Sequence, residues 1–160
     1  MNSGTHSAYA LEQYQFLRKW DIHSQGNEHE LPRGVDVDGN GNVYTTTNFP
    51  DGKILKFSND GRLLATWDTD GNIFQDIAVD SIRGIVYVSE ADSSGGTQGV
   101  RKFLLANPCP AGTRQIDVGL CFERKWGGSG GSGQGQFDYP SGIAIDSAGY
   151  VYVTDVFNGR

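Results

Sequence analysis

An all-β chain of repeated four-stranded antiparallel sheets is predicted by three features. A tryptophan-closed phrase occurs three times, an apolar phrase ending in aspartate follows each copy, and a Val-Tyr phrase follows each aspartate. Self-similarity of this kind decides architecture before any single residue does. The first phrase reads Phe16-Leu17-Arg18-Lys19-Trp20, Leu63-Leu64-Ala65-Thr66-Trp67 and Phe122-Glu123-Arg124-Lys125-Trp126, which accounts for all three tryptophans. Asp38 and Asp80 stand 42 residues apart, and four strands in about forty residues is the period of a β-propeller blade.

The inner strand of each unit is the phrase Gly34-Val35-Asp36-Val37-Asp38, Asp76-Ile77-Ala78-Val79-Asp80 or Gly142-Ile143-Ala144-Ile145-Asp146. It alternates apolar with small or polar residues and runs into a tight turn at 38–42, 80–84 or 146–150, each with a Gly or Asn able to take positive φ. The second strand is rich in Val, Tyr and Thr, at Val43-Tyr44-Thr45, Val86-Tyr87-Val88 and Val151-Tyr152-Val153. A third strand ends in Lys-Phe, at Ile54-Leu55-Lys56-Phe57 and Val100-Arg101-Lys102-Phe103, and the tryptophan phrase is the fourth, outermost strand. The spacing grows to 66 residues between Asp80 and Asp146, and the surplus falls in a loop at 91–99 and an insertion at 104–120. A blade cannot bury its own two faces, so it needs neighbours on both sides.

The last unit carries Gly135-Gln136-Phe137-Asp138-Tyr139-Pro140-Ser141 before its inner strand, then Gly149-Tyr150-Val151-Tyr152-Val153-Thr154-Asp155 and Asn158-Gly159-Arg160, preceded by Lys125-Trp126-Gly127 and a Gly/Ser loop. These residues resemble the NHL repeat, and the resemblance extends from about Phe16 to Arg160. The middle unit lacks the Pro before its first strand, and the first has Thr47 where the pattern ends its second strand in Asp. The resemblance implies a ring of six blades. The strand count supplies only a fourth strand, two blades and half of another, so an incomplete ring is expected. The chain reads as a fragment completed by missing blades rather than by a second copy of itself. Residues 1–14 are expected to be disordered or a leader, and 15–160 a partial NHL-type propeller. Its parts are a strand at 15–20, a blade at 34–67, a blade at 76–126 with the insertion 104–120, and a partial blade at 142–160. Truncation at one end or at both stays open, because 15–20 also has the form of a ring-closing strand.

Composition narrows the function. Glycine contributes 23 of 160 residues, about twice the usual share, and sits between apolar runs as turns do. The net charge of −6, with no cluster of Lys and Arg, disfavours a nucleic-acid partner. No run reaches the length of a membrane-spanning helix, and Met1-Asn2-Ser3-Gly4-Thr5-His6 lacks the features of a signal peptide.

Several motifs imitate chemistry. Asp36-Val37-Asp38-Gly39-Asn40-Gly41 opens like an EF-hand, yet Thr47 stands where the closing Glu belongs and the flanks are strands, so a hairpin turn is the reading. Gly128-Ser129-Gly130-Gly131-Ser132-Gly133 fits Gly-x-Gly-x-x-Gly, but a strand follows instead of a helix N-terminus, which leaves a flexible inter-blade loop. His23 and His29, near Glu28 and Glu30, complete no recognisable metal set, and His6 falls in a start expected to be disordered. Some amidating lyases share the propeller and bind zinc through histidines near the blade starts. Arg33 follows Pro32 where that pattern favours His, which argues against the activity. No cofactor, metal or catalytic residue is assigned. Cys109 in the insertion and Cys121 directly after it suggest a disulfide worth roughly 3 kcal/mol and an oxidising, extracellular or envelope compartment; two cytosolic thiols are the alternative.

Loops between second and third strands share one rim with the inter-blade loops. That rim is expected to carry Thr47, Asn48, Asp51, Glu90, Asp92, Asp155, Asn158, His29 and Arg33. Asn48, Glu90, Asp92, Asp155, His29 and Arg33 are the candidate binding residues. Glu90 and Asp92, beside Ser93-Ser94-Gly95-Gly96, are the preferred surface pair, whereas Asp155 and Asn158 are expected to tie down loop backbone. The expected function is a non-enzymatic binding or scaffold module for a protein, a polar polymer or a small polar ligand. The alternative is a propeller lyase or hydrolase with a metal in the central channel.

Overall fold

A computed structural model of the chain describes residues 31–48, 52–69, 73–92 and 96–160. The predicted strand at 15–20 with Trp20, all three histidines, Asp51 and 93–95 lie outside the described residues. Among those described, the fold is all-β. The first sheet is the meander β1 (Pro32–Val37), β2 (Val43–Thr47), β3 (Lys53–Phe57) and β4 (Leu63–Asp68). The second runs β5 (Phe74–Asp80), β6 (Ile85–Ala91), β7 (Gln98–Leu104), β9 (Leu120–Gly128), with β8 (Arg114–Asp117) on its outer edge. The third pairs β10 (Pro140–Ile145) with β11 (Val151–Asp155). All pairings are antiparallel.

Each inner strand starts with the same irregularity. The register shifts between Pro32 and Val35, Phe74 and Asp76, and Pro140 and Ile143. A bulge leaves an amide without its ladder partner. Here a second-strand hydroxyl supplies one: Gly34 N–H donates to Thr46 Oγ1 (3.1 Å), Asp76 N–H to Ser89 Oγ (3.1 Å) and Gly142 N–H to Thr154 Oγ1 (2.7 Å). At the other end of the strand, the aspartate organises the turn. Asp38 Oδ1 accepts from the amides of Asn40 and Asn42, and Asp146 Oδ1 from those of Ala148 and Tyr150. The opposite oxygens accept from Tyr44 and Tyr152 hydroxyls. Gly41 and Gly149 complete these turns at φ of 79° and 94°.

The sheets stack face to face. Tyr44, Ile54 and Trp67 of the first meet Ile77, Val86, Val88 and Phe103 of the second, whose opposite face, with Ala78, Tyr87 and Val100, meets Ile143 of the third. Carboxylates stitch neighbouring inner strands together: Val79 N–H donates to Asp36 Oδ2 at 2.7 Å, and Ile143 N–H to Asp76 Oδ2 at 2.9 Å. The geometry is that of propeller blades in an unclosed arc, whose outer faces leave Val35 and Tyr152 exposed.

The insertion is closed by the expected Cys109–Cys121 disulfide, with Cα atoms 5.6 Å apart, and adds a strand the repeat does not predict, β8, which pairs with β9. The strand it adds makes β9, with Trp126, the penultimate strand rather than the outermost. Its β8–β9 turn reaches the preceding blade, where Trp67 Nε1–H donates to Val118 O at 3.0 Å. Trp67 is accordingly 5 % exposed and Trp126 39 %. Reduction of the disulfide is expected to lower stability by about 3 kcal/mol. It should also red-shift tryptophan emission through loss of the cover on Trp67. A Cys109→Ser/Cys121→Ser variant whose melt and emission match the parent would contradict this coupling.

Candidate functional site

The rim where second strands end and inner strands begin brings together residues from three blades. Asn48 N–H donates to Leu31 O (3.3 Å) and Ala91 N–H to Ile73 O (3.1 Å), so each second strand is fastened to the start of its own inner strand. Between these fastenings lies a pocket of about 260 Å³ lined by Arg33 and Asn48 from the first blade, Ile73 and Gln75 from the second, and Tyr139 from the third. With the Asn48 amide in the orientation that satisfies both groups, its oxygen accepts from Arg33 Nε and Nη2 at 2.7 and 3.0 Å. Gln75 Nε2 donates to Ala91 O at 3.1 Å.

Tyr139 has φ of 62°, the only non-glycine residue with positive φ among those described. Its surroundings determine that conformation. The Tyr139 amide donates to Gln98 Oε1 (2.9 Å), its carbonyl accepts from Val156 N–H (3.2 Å), and its ring lies 5.4 Å from that of Phe157. Gln98 Nε2 in turn donates to Asp92 O at 2.8 Å, tying the neighbouring loop to the same point.

Arg33 and Asn48 thus stand together on the rim. Glu90, the preferred surface residue, does not: it is fully buried, with Arg101 Nε at 2.6 Å from Oε2 and Lys125 Nζ against Oε1. Its place in the repeat explains this. Thr47, Glu90 and Asp155 are the fifth residues of equivalent phrases and are 0 %, 0 % and 2 % exposed. Thr47 Oγ1 accepts from Lys53 N–H at 3.3 Å. Asp92 is half-buried, its amide donating to Thr97 O at 2.9 Å. Asp155 accepts from the Asp138 amide (2.6 Å), Asn158 Nδ2 (2.8 Å) and Arg160 Nε (3.0 Å), which is a structural role. His29 lies outside the described residues.

Burial opposes ionisation of Asp155, but the bonds from Asn158, Asp138 and Arg160 outweigh it and hold its pKa below the ordinary carboxylate value. Asp38 is lowered in the same way, burial being overcome by Asn42, Asn40 and Tyr44. A carboxylate depressed in the folded state contributes stability that is complete above the unfolded pKa and is lost as pH falls through the folded one. Urea midpoints are therefore expected to hold down to about pH 4–5 and to fall below it. In Asp155→Asn that fall should be shallower, and an unchanged acid limb would contradict the assignment.

Two of the motifs that imitate chemistry take structural roles, and the His23 and His29 group lies outside the described residues. The carboxylates of Asp36 and Asp38 are engaged by Val37 and Val79 amides and by the turn, respectively, so the EF-hand likeness is a hairpin. The Gly/Ser loop leads into β10, with no helix, and is held by hydrogen bonds: Gly131 N–H donates to Phe137 O, Gly133 N–H to Gln136 Oε1, and Asn158 Nδ2 to Gly131 O. Among the described residues no group of three or more His, Cys, Asp or Glu is placed to hold a metal, and no helix is long and apolar enough to cross a membrane.

Residues 130–154, which hold most of the Gly/Ser loop, β10 and most of β11, match a family described as SBBP, beta-propeller repeat. No curated protein matches the chain.

Proposed function

We propose that this propeller segment acts as a non-enzymatic binding module whose rim pocket, centred on Arg33 and Asn48, recognises a protein or polar ligand. The observation that carries the reading is the pocket's make-up. It has a cation fixed by a neighbouring amide, a second amide from the next blade, and an aromatic ring from the third blade held in strained backbone. Mixed apolar and polar linings of this kind suit recognition of an oriented ligand. The likeness to NHL repeats is compatible with a recognition role, and the Cys109–Cys121 bond supports an oxidising, extracellular or envelope location.

An array of immobilised extended peptides of varied composition, probed with the folded chain, tests the reading. A subset should retain the protein, compete in solution as free peptides, and lose retention with Arg33→Gln. If no peptide retains a chain whose thermal melt is intact, or if retention is indifferent to Arg33→Gln in a folded variant, the rim-binding reading fails.

A further inference from the structure

The rim pocket has a chemistry more specific than polar recognition, and we infer that it takes a carboxylate attached to a peptide-like body. This rests on the binding role proposed above and names the ligand class. The Asn48 oxygen occupies the Nε and Nη2 side of the Arg33 guanidinium. A guanidinium has five donors in a planar fork, so its Nη1/Nη2 edge retains paired N–H groups at the spacing of carboxylate oxygens. Asn48 sets the fork in place before a ligand arrives, which lowers the ordering cost of binding.

Gln75 complements that edge. With Nε2 spent on Ala91 O, its amide is oriented and its Oε1 presents an acceptor. A bare carboxylate has nothing to donate to that oxygen, whereas a carboxylate carried beside a peptide N–H does. Leu31 and Ile73 supply the apolar part of the wall and the Tyr139 ring its flat part. Backbone strain at a non-glycine residue persists only where surroundings over-determine it, and it concentrates at ligand clamps. Gln98, Val156 and Phe157 hold Tyr139 in that conformation in the lining it shares with Arg33.

Size limits the occupant. At about 260 Å³ the pocket lies just under the 300–1,000 Å³ range of sites that enclose small-molecule ligands. It fits one residue of a longer chain, with the rest of that chain running over the rim. The carboxylate then comes either from an acidic side chain or from a chain terminus. A polyphosphate backbone is disfavoured by the net charge of −6.

The test uses the whole chain and three probes: acetyl-Glu-methylamide, acetyl-Gln-methylamide, and acetyl-glutamine with a free α-carboxylate. Binding is followed by NMR at Arg33 Nε–H and the Gln75 side-chain amide. Saturable shifts at both groups are expected with at least one carboxylate probe. The neutral probe should bind about tenfold more weakly or worse, the loss expected when a charge-assisted bond is forfeited. Whichever carboxylate probe saturates identifies a side-chain or a terminal source. Arg33→Gln should abolish the preference for the charged probe, and Gln75→Leu should weaken charged and neutral probes alike. Equal binding of all three, shifts located elsewhere, or no saturation by either carboxylate overturns the inference, and the wild-type comparison suffices if a variant fails to fold. Array peptides that bind the rim without regard to acidic or terminal carboxylates would remove this inference and leave the binding function standing.

Discussion

Glu90→Gln is expected to destabilise the fold by about 3 kcal/mol, measured as a lowered urea midpoint at unchanged slope. Glu90 is inaccessible to solvent, and the Arg101 and Lys125 side chains that flank its carboxylate are only 14 % and 22 % exposed. Glutamine keeps the shape and removes the charge, which leaves two cations facing each other across a neutral amide. Removing one member of a buried ionic group costs about 3–5 kcal/mol, and the partial hydration of both cations places this site at the lower end. Replacing the whole group with apolar residues, as Glu90→Leu/Arg101→Met/Lys125→Met, should recover most of the loss, because the desolvation penalty disappears with the charges. A single variant within about 0.5 kcal/mol of the parent would show that water already shields the cluster.

That cluster marks the limit of what the sequence made legible. The strands could be read because their phrases repeat, and the turns because each strand ends in aspartate beside a Gly or Asn. Glu90 looked like a loop residue since Ser93-Ser94-Gly95-Gly96 follows closely, yet its equivalents Thr47 and Asp155 differ too much in chemistry to reveal one shared buried position. The preceding residues, Thr46, Ser89 and Thr154, did carry a signal: a hydroxyl in every copy, which the bulged inner strand uses. Strand β8 was invisible because Arg114-Gln115-Ile116-Asp117 is short, polar and largely exposed, and pairing with β9 alone defines it. In the candidate site, the phase of the repeat placed Arg33 and Asn48 on one rim. Gln75 and Tyr139 come from the two following blades, and only the stacking of sheets brings them into one pocket with Arg33.

Blade stacking itself is most exposed to attack at Gly34, where alanine is expected to cost about 3 kcal/mol, the upper end for overpacking. A Cβ there would lie 2.5 Å from Asp76 Cα and 2.6 Å from Ile77 N. Those are backbone atoms of β5, the inner strand of the next blade, and no rotamer change moves them aside. The first two blades would have to separate, lengthening the Val79 N–H to Asp36 contact and drawing Trp67 from the Val118 carbonyl. Gly142 occupies the equivalent place in the third blade and supplies the control. Its Cβ would meet Thr154 Oγ1 at 3.1 Å and Asp76 Oδ2 at 3.9 Å, both side-chain atoms. Gly142→Ala should therefore cost less than about 1 kcal/mol, the neighbours giving way by a few tenths of an ångström. Denaturation of the two variants, with indole N–H exchange at Trp67 as a local readout, separates the cases. Equal losses would mean that the glycines answer to strand conformation within each blade; a loss confined to Gly34→Ala, with faster Trp67 exchange, would locate the constraint in the approach of one blade to the next.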